Sequence, residues 1–385
     1  MLTRRGLLTT GGAAAIIGGV GVIGVANGPG LSKARAPWRQ AGESFGDPRI
    51  DALAYAILAP NPHNRQPWQF DLVGQDRLDV FVDLDRRLPH TDPFDRQITI
   101  GFGCMLELLR MAAAELGYVA DITPFPDGEP QPRLTGNRIA QVKFTSDPDA
   151  PRDLLFANVL QRRSTKEPFA LDRAISAETL RTVIAGGQGG LEIGGTVDPG
   201  QRDRVIDLAW QGFQIELATD LTRRESVDLM RIGNRAVTEN PDGIDMGGIP
   251  MGLLKMTGIV SHQALDTVGS TAYRQGLQMY DPIIHSARGF VWIKADENSR
   301  LGQLQAGRAW VRMNLAAQKS GVCIHPLSQI LQEFPEMAEP YNAIRAELGV
   351  SGDGVVHMLG RLGYTKFPAA SPRWPVESKL ISSSV

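Results

Sequence analysis

GCMLELLRMAAAELGY (103–118) and GRAWVRMNLAAQKSGV (307–322) decide the fold class of this chain. Aligned on their first glycines, Gly103 pairs with Gly307 and Met111 with Leu315. Ala112 and Ala113 then pair with Ala316 and Ala317, and Gly117 with Gly321. Both stretches place apolar residues at helical spacing and stop at a glycine, which ends helices because it tolerates the left-handed backbone. Each runs on into a short apolar strand, YVADI (118–122) or VCIHPL (322–327). RIAQVKF (138–144) and GVVHMLGRLGY (354–364) read as a further matching pair of strands. ALAYAILA (52–59) likewise matches TLRTVIAG (179–186) as a preceding helix. The pattern predicts an α+β chain made of two copies of one unit, 37–155 and 156–385.

The copies are unequal. Ile57 to Ala113 is a shorter span than Ile184 to Ala317, so the second copy carries about 77 extra residues, expected near 220–298. That stretch is rich in Gly and Met and suits either a lid over a site or a plain surface excursion. Motifs are also divided between the copies. After its first helix copy one has PNPHNRQPWQF (60–70), where copy two has GQGGLEIGGTV (187–197). Copy two opens with QRRSTKEPF (161–169), and nothing similar precedes the helix of copy one in WRQAGESFGDPRI (38–50). Each copy holds half of something.

Composition narrows the chemistry. The chain has 385 residues, 42% hydrophobic and 21% charged, with a formal net charge of -2. That is the profile of a globular protein long enough for two domains, without the global field that recruits nucleic acid. The two cysteines, Cys104 and Cys323, lie in apolar runs and read as buried thiols. The six histidines are scattered, with no ligand spacing for a metal.

Two runs can carry chemistry. Arg162, Arg163, Ser164 and Lys166 offer guanidinium forks, a hydroxyl and an ammonium, groups that bind phosphate oxygens; alone, such a run is also common on a solvated face. Pro60 and Pro62 flank Asn61 and stiffen a loop in which Asn61, Asn64 and Gln66 present amides. Those amides suit the polar edge of a flat heterocycle, or merely the loop's own backbone.

Together these runs resemble the FMN-dependent nitroreductase family, in its fused Acg-like branch. The resemblance spans about residues 45 to 380. It implies that Arg162, Arg163, Ser164 and Lys166 take the FMN phosphate and ribityl chain. Pro60, Asn61, Pro62, Asn64 and Gln66 would take the ring, with Asn61 and Pro62 standing where the family often has serines. Pro326, Leu327 and Ser328 match the turn along the flavin, Ser328 and Gln329 replacing the usual acid and glycine. Arg373 matches the basic carboxy-terminal run, with Ser371 in place of a second cation. The implied architecture is a nitroreductase-like fold duplicated in one chain, two α/β sandwich halves forming a pseudo-dimer with a lid insertion in the second half. One interfacial FMN would serve ping-pong reduction of an electron-poor acceptor such as a nitroaromatic or quinone. A flavin-storing protein and an empty-site pseudoenzyme are the alternatives.

The first 36 residues read as an address. MLTRRGLL places Arg4 and Arg5 before a weakly hydrophobic run ending at Ala26. That order resembles a twin-arginine export signal, which delivers folded protein to the periplasm. Leu7–Ala26 is also 20 residues long, enough for a membrane tether.

Overall fold

A computed structural model of the chain describes residues 31–187 and 190–381. The expected export segment lies outside them as far as residue 30. Helices in the first half are α1 (Leu31–Ala34), α2 (Pro37–Gln40), α3 (Pro48–Ala56) and α4 (Arg96–Glu115). Its strands are β1 (Trp68–Val73), β2 (Arg77–Val82), β3 (Tyr118–Pro124) and β4 (Ala140–Ser146). The second half opens with α5 (Ala177–Gly186) and β5 (Glu192–Thr196). An excursion follows: α6 (Pro199–Ala218), α7 (Asp220–Asp228), β6 (Met230–Ile232), α8 (Asn234–Glu239), β7 (Ile244–Met246), α9 (Ile249–Met256), α10 (His262–Asp266) and α11 (Thr271–His285). The chain then returns as β8 (Gly289–Ala295), α12 (Arg300–Lys319), β9 (Cys323–Pro326), α13 (Ala338–Glu347) and β10 (Val355–Gly363).

The two larger sheets are antiparallel and run β1-β2-β4-β3 and β5-β8-β10-β9, one order used twice. The strands expected at 138–144 and 354–364 are β4 and β10, at equivalent places in those sheets. β1 and β2 are joined by residues 74–76, whereas 197–288 join β5 to β8. The excursion therefore leaves the sheet well before residue 220 and returns before 298. A sequence offset measures net length and not the point of departure.

The long helices begin and end as their sequences dictate. Asp92 accepts hydrogen bonds from the Gln97 and Ile98 amides ahead of α4, and Ser299 caps α12 by accepting from Gly302. Gly117 and Gly321, at φ +77° and +66°, stop them. Among the described residues α4 alone is long and apolar enough to cross a bilayer, yet 94% of that apolar window is buried inside the protein. Its partner is α12.

Where α4 and α12 cross, backbone meets backbone. A Cβ on Gly103 would collide with the Leu304 carbonyl, and a Cβ on Gly307 with the Ile100 carbonyl. Each glycine thus faces the carbonyl three residues before the other, a reciprocal contact of the kind two-fold axes produce. The Cys104 thiol adds a bond to the Gly307 carbonyl, 3.1 Å away. Around this crossing one apolar core takes residues from both halves, including Leu53, Phe102 and Leu108 with Val183, Trp310 and Leu362.

Residues 31–36, expected in the export segment, belong to the folded body. Leu31 and Ala34 are buried against Val237, and the Arg373 amide donates to the Ala34 carbonyl. Small apolar residues pack as readily in a core as in a leader, so composition does not separate the two.

Gly307→Ala should destabilise the protein by ~3 kcal/mol, at the upper end for overpacking, because carbonyl and backbone must both move. Gly276→Ala, in α11 with open space around it, should instead stabilise by ~0.5–1 kcal/mol. Urea denaturation of both variants checks the pair.

Candidate functional site

Loop 57–67 follows α3, which starts on Pro48 with Asp47 capping the Arg49 amide. Three of its residues other than glycine hold positive φ: His63 at 46°, Asn64 at 53° and Gln66 at 49°. Each such conformation costs about 1–3 kcal/mol and persists only when its surroundings over-determine it. The loop's amides provide that. Asn61 donates to the Ala59 carbonyl at 3.1 Å and accepts from the Gln66 amide at 2.8 Å. Asn64 donates to Pro372 and accepts from Arg373 at 2.6 Å. Gln66 donates to Pro241 and accepts from the Trp374 amide at 2.9 Å. All three side chains already have protein partners, which help hold His63, Asn64 and Gln66 in the left-handed region while Asn61 itself is extended at φ -155°.

The arginines converge on this loop. Arg373 is buried and donates to the carbonyls of Ile57, Leu58 and Ala59 at 3.0–3.1 Å. Arg162 is 3% exposed and donates through one nitrogen to Leu58, while its Nε and Nη1 find no partner. Arg163 is half-buried and donates to the Leu160 and Arg162 carbonyls. The Trp38 indole, from α2, lies 5.9, 4.7 and 5.6 Å from the guanidinium carbons of Arg162, Arg163 and Arg373. Among the described residues none of these three arginines has a carboxylate partner. Burial, then the neighbouring Arg163, pushes Arg162 down to about 10; burial and both neighbours push Arg373 well below its ordinary value. Clustered, desolvated cations without a counter-charge form a cradle for an anion.

Beside the cradle the chain turns toward the second sheet. Thr165 donates its amide to Ile324, and Arg361 donates to the carbonyl of Glu167 at 2.7 Å and to the His325 ring at 2.9 Å. These bonds set the 162–167 run against β9, whose end carries Pro326, buried Leu327 and Ser328. Leu327 is tied back by its amide to Leu359, and Ser328 is half-buried. Ser164 is half-buried and Lys166 exposed. The 162–167 run thus reaches loop 57–67 through Arg162 and the end of β9 through Thr165, and Arg373 meets the same loop.

Sequence reasoning missed several neighbours. The positive charge of Lys166 reaches His63, His325 and Glu216. Burial, reinforced by Lys166, holds His63 down to about 3, and burial, then Arg361 and Lys166, holds His325 well below the usual imidazole range, so both are neutral at neutral pH. Glu216, on α6, accepts from Ser226 and Gln332 at 3.0 Å, and burial raises it to about 7. Nothing in the spacing of Trp38, His63 or Glu216 marks them. The excursion itself is fastened over the loop: Asp242 pairs with Arg65, Arg86 and Arg231, and Glu225 accepts from the His90 and Thr91 amides.

No family model matches the chain. A Mycobacterium tuberculosis protein whose name places it provisionally among the NAD(P)H nitroreductases is 24% identical over 336 residues, covering 86% of this chain and 89% of that protein. A second from the same organism, named acg and assigned to the same group, is 31% identical over 136 residues, 34% of this chain and 40% of its own. The solved FMN-dependent nitroreductase NfnB from Mycobacterium smegmatis, in complex with NADPH, is 20% identical over 55% of this chain and 91% of its own, with a TM-score of 0.32. The fold is an α+β chain with one strand order used in two sheets, and Arg162, Arg163 and Arg373 gather around Trp38 beside loop 57–67. Both of these relatives carry names that place them among the nitroreductases.

The Glu216 value has a measurable consequence. The folded state holds a proton there that the unfolded chain loses above about 4.5. Stability from the neutral acid is full below that pH and is lost as pH rises toward and through 7. Melting temperature should fall between pH 5 and 8, and Glu216→Gln should remove on the order of 2–3 kcal/mol of that slope. An unaltered slope in the variant would assign it to another group.

Proposed function

We propose that this chain is an FMN-dependent oxidoreductase of nitroreductase type, a pseudo-dimer with one flavin site at the seam of its halves. The observation that carries the reading is Arg162: buried, with two nitrogens, Nε and Nη1, unpartnered and no carboxylate paired with it, beside Arg163 and Arg373. A phosphate monoester fits that deficit, each charge-assisted bond contributing ~1.5–3 kcal/mol. The repeated strand order and the reciprocal glycine contact support the pseudo-dimer. The division of RRSTK and PNPHNRQPW between the halves supports a single site.

Bound FMN would supply two-electron transfer, in ping-pong order, from a reduced nicotinamide to an electron-poor nitroaromatic or quinone. The chain's own part is placement and charge. Arg162 and Arg163 bind the phosphate, and the Ser164 hydroxyl donates one further bond. Arg373 spends its donors on carbonyls and Asn64, so it fixes the loop and adds field. Lys166 would offer positive charge to a bound flavin, and neutral His63 and His325 add none of their own. The stiff wall of Pro60 and Pro62 and the Pro326–Ser328 turn limit where a flat ring lies. Export by the twin-arginine route, through Arg4 and Arg5, would follow folding and loading in the cytoplasm.

One observation favours a second reading, a flavin-holding protein with little turnover. The excursion is bound to the loop by the Asp242–Arg65 ion pair and by the Gln66 bond to Pro241. Anaerobic mixing with NADPH or NADH separates the two: bleaching, then recovery with a quinone, marks the oxidoreductase, and no bleaching marks the holder.

Flavin released on denaturation should amount to one FMN per chain; two would sink the single-site reading. Arg162→Met tests the cradle more sharply. It removes an unpaired buried cation and keeps its bulk, so FMN-free protein should gain ~1–3 kcal/mol in denaturation while FMN affinity falls about 10- to 100-fold. Undiminished affinity would place the phosphate elsewhere.

A further inference from the structure

α9 carries an apolar face that nothing among the described residues covers. Ile249, Leu253 and Met256 fall at i, i+4 and i+7 on one side of the helix and are 66%, 57% and 85% exposed, with Ile259 40% exposed just beyond. The opposite side is anchored: Leu254 is buried with Ile232 and Val260, and Lys255 donates to the Ile232 carbonyl. The face is therefore built outward on a fixed support.

The start of the described chain lies beside it. The Leu31 side chain packs 3.5 Å from where a Cβ on Gly247 would stand, at the turn that opens α9. Arg35 pairs with Asp245 in the same turn, and α1 packs on Val237 of α8. Upstream in sequence, Leu7–Ala26 is 20 residues of apolar and small side chains preceded by Arg4 and Arg5. That length spans a bilayer core, and the paired arginines set the cytoplasmic end. Between Ala26 and Leu31 lie Asn27, Gly28, Pro29 and Gly30, so the two points stand within about 18 Å of each other even at full extension.

We propose that the Ile249–Leu253–Met256 face of α9 lies in the interfacial layer of the lipid bilayer to which the amino-terminal segment tethers the chain. This rests on the tether reading of Leu7–Ala26 and goes beyond it by assigning a second, non-covalent contact. Short helices with one apolar face bury it about 5–10 Å into the headgroup–acyl boundary. With the tether close by, the effective concentration of bilayer at α9 is high, and the two anchors fix the orientation of the body. The excursion that carries α9 is also the one bound to loop 57–67, through Pro241 and Asp242.

The test uses the full chain. Cys104 and Cys323 are buried and free, so a maleimide fluorophore on Met256→Cys labels that position selectively; Leu154→Cys, 85% exposed in the link between the halves, is the control. Each labelled chain is reconstituted into vesicles of phosphatidylcholine and phosphatidylglycerol, 3:1 by the experimenter's choice, with and without brominated acyl chains. The expected result is a blue-shifted emission at 256 that the brominated lipid quenches at least about twofold, with neither effect at 154. Equal aqueous iodide quenching at both positions, in protein that floats with the vesicles, would overturn the α9 contact and leave the tether standing. Protein that does not float overturns both. A blue shift already present without vesicles also overturns the proposal: if independent of concentration it assigns the face to residues 7–26, and if dependent on concentration to a second copy of the chain.

Discussion

The crossing of α4 and α12 without side chains between them is the constraint on which the rest depends. With Gly103 and Gly307 each against the other helix's carbonyls, the two backbones cannot slide or rotate without steric collision or loss of contact. That fixes the halves as one rigid unit around a shared core. The Leu58 carbonyl of the first half and the Arg162 guanidinium of the second can then meet at 3.0 Å across a sequence gap of more than a hundred residues. The same frame brings Arg373 to Asn64.

Two arginine clusters on one face of the molecule show what the cradle lacks. Arg65, Arg86 and Arg231 share Asp242, whose carboxyl is held below its usual range by Arg231 and Arg86 despite burial. Arg162, Arg163 and Arg373 share an indole ring and backbone carbonyls, which disperse charge without neutralising it. The first cluster is a finished structural clamp. The second is electrostatically unfinished: Arg162 keeps Nε and Nη1 without acceptors, and no carboxylate among the described residues pairs with any of the three. Residual strain in loop 57–67 lies beside it, where three left-handed residues are kept by amides that have no other freedom.

Much of this was legible in the sequence because it depends on local pattern. Helical spacing closed by Gly117 and Gly321 marks α4 and α12, and alternating apolar residues mark β4 and β10. The division of RRSTK and PNPHNRQPW between two copies pointed to a seam, and Arg162, Arg373 and the loop do meet there. What escaped depends on partners far away in sequence. Asn64 and Gln66 look like free amides until Pro372 and Trp374 occupy them. Trp38 lies in a stretch without periodicity, and its role arises only from three cations gathered around it. The excursion's limits escaped because length differences locate nothing, and residues 31–36 because a leader and a core accept the same small side chains.

The burial of Leu31 and Ala34 bears on how the amino terminus can be processed. A peptidase acting after Ala36 would remove the carbonyl that receives the Arg373 amide and would expose Val237. Any cut that spares the body must therefore fall upstream of Leu31. A cut at Ala36 requires that α1 be undocked. The docked helix thus makes the integrity of residues 31–36 depend on the fold that covers them.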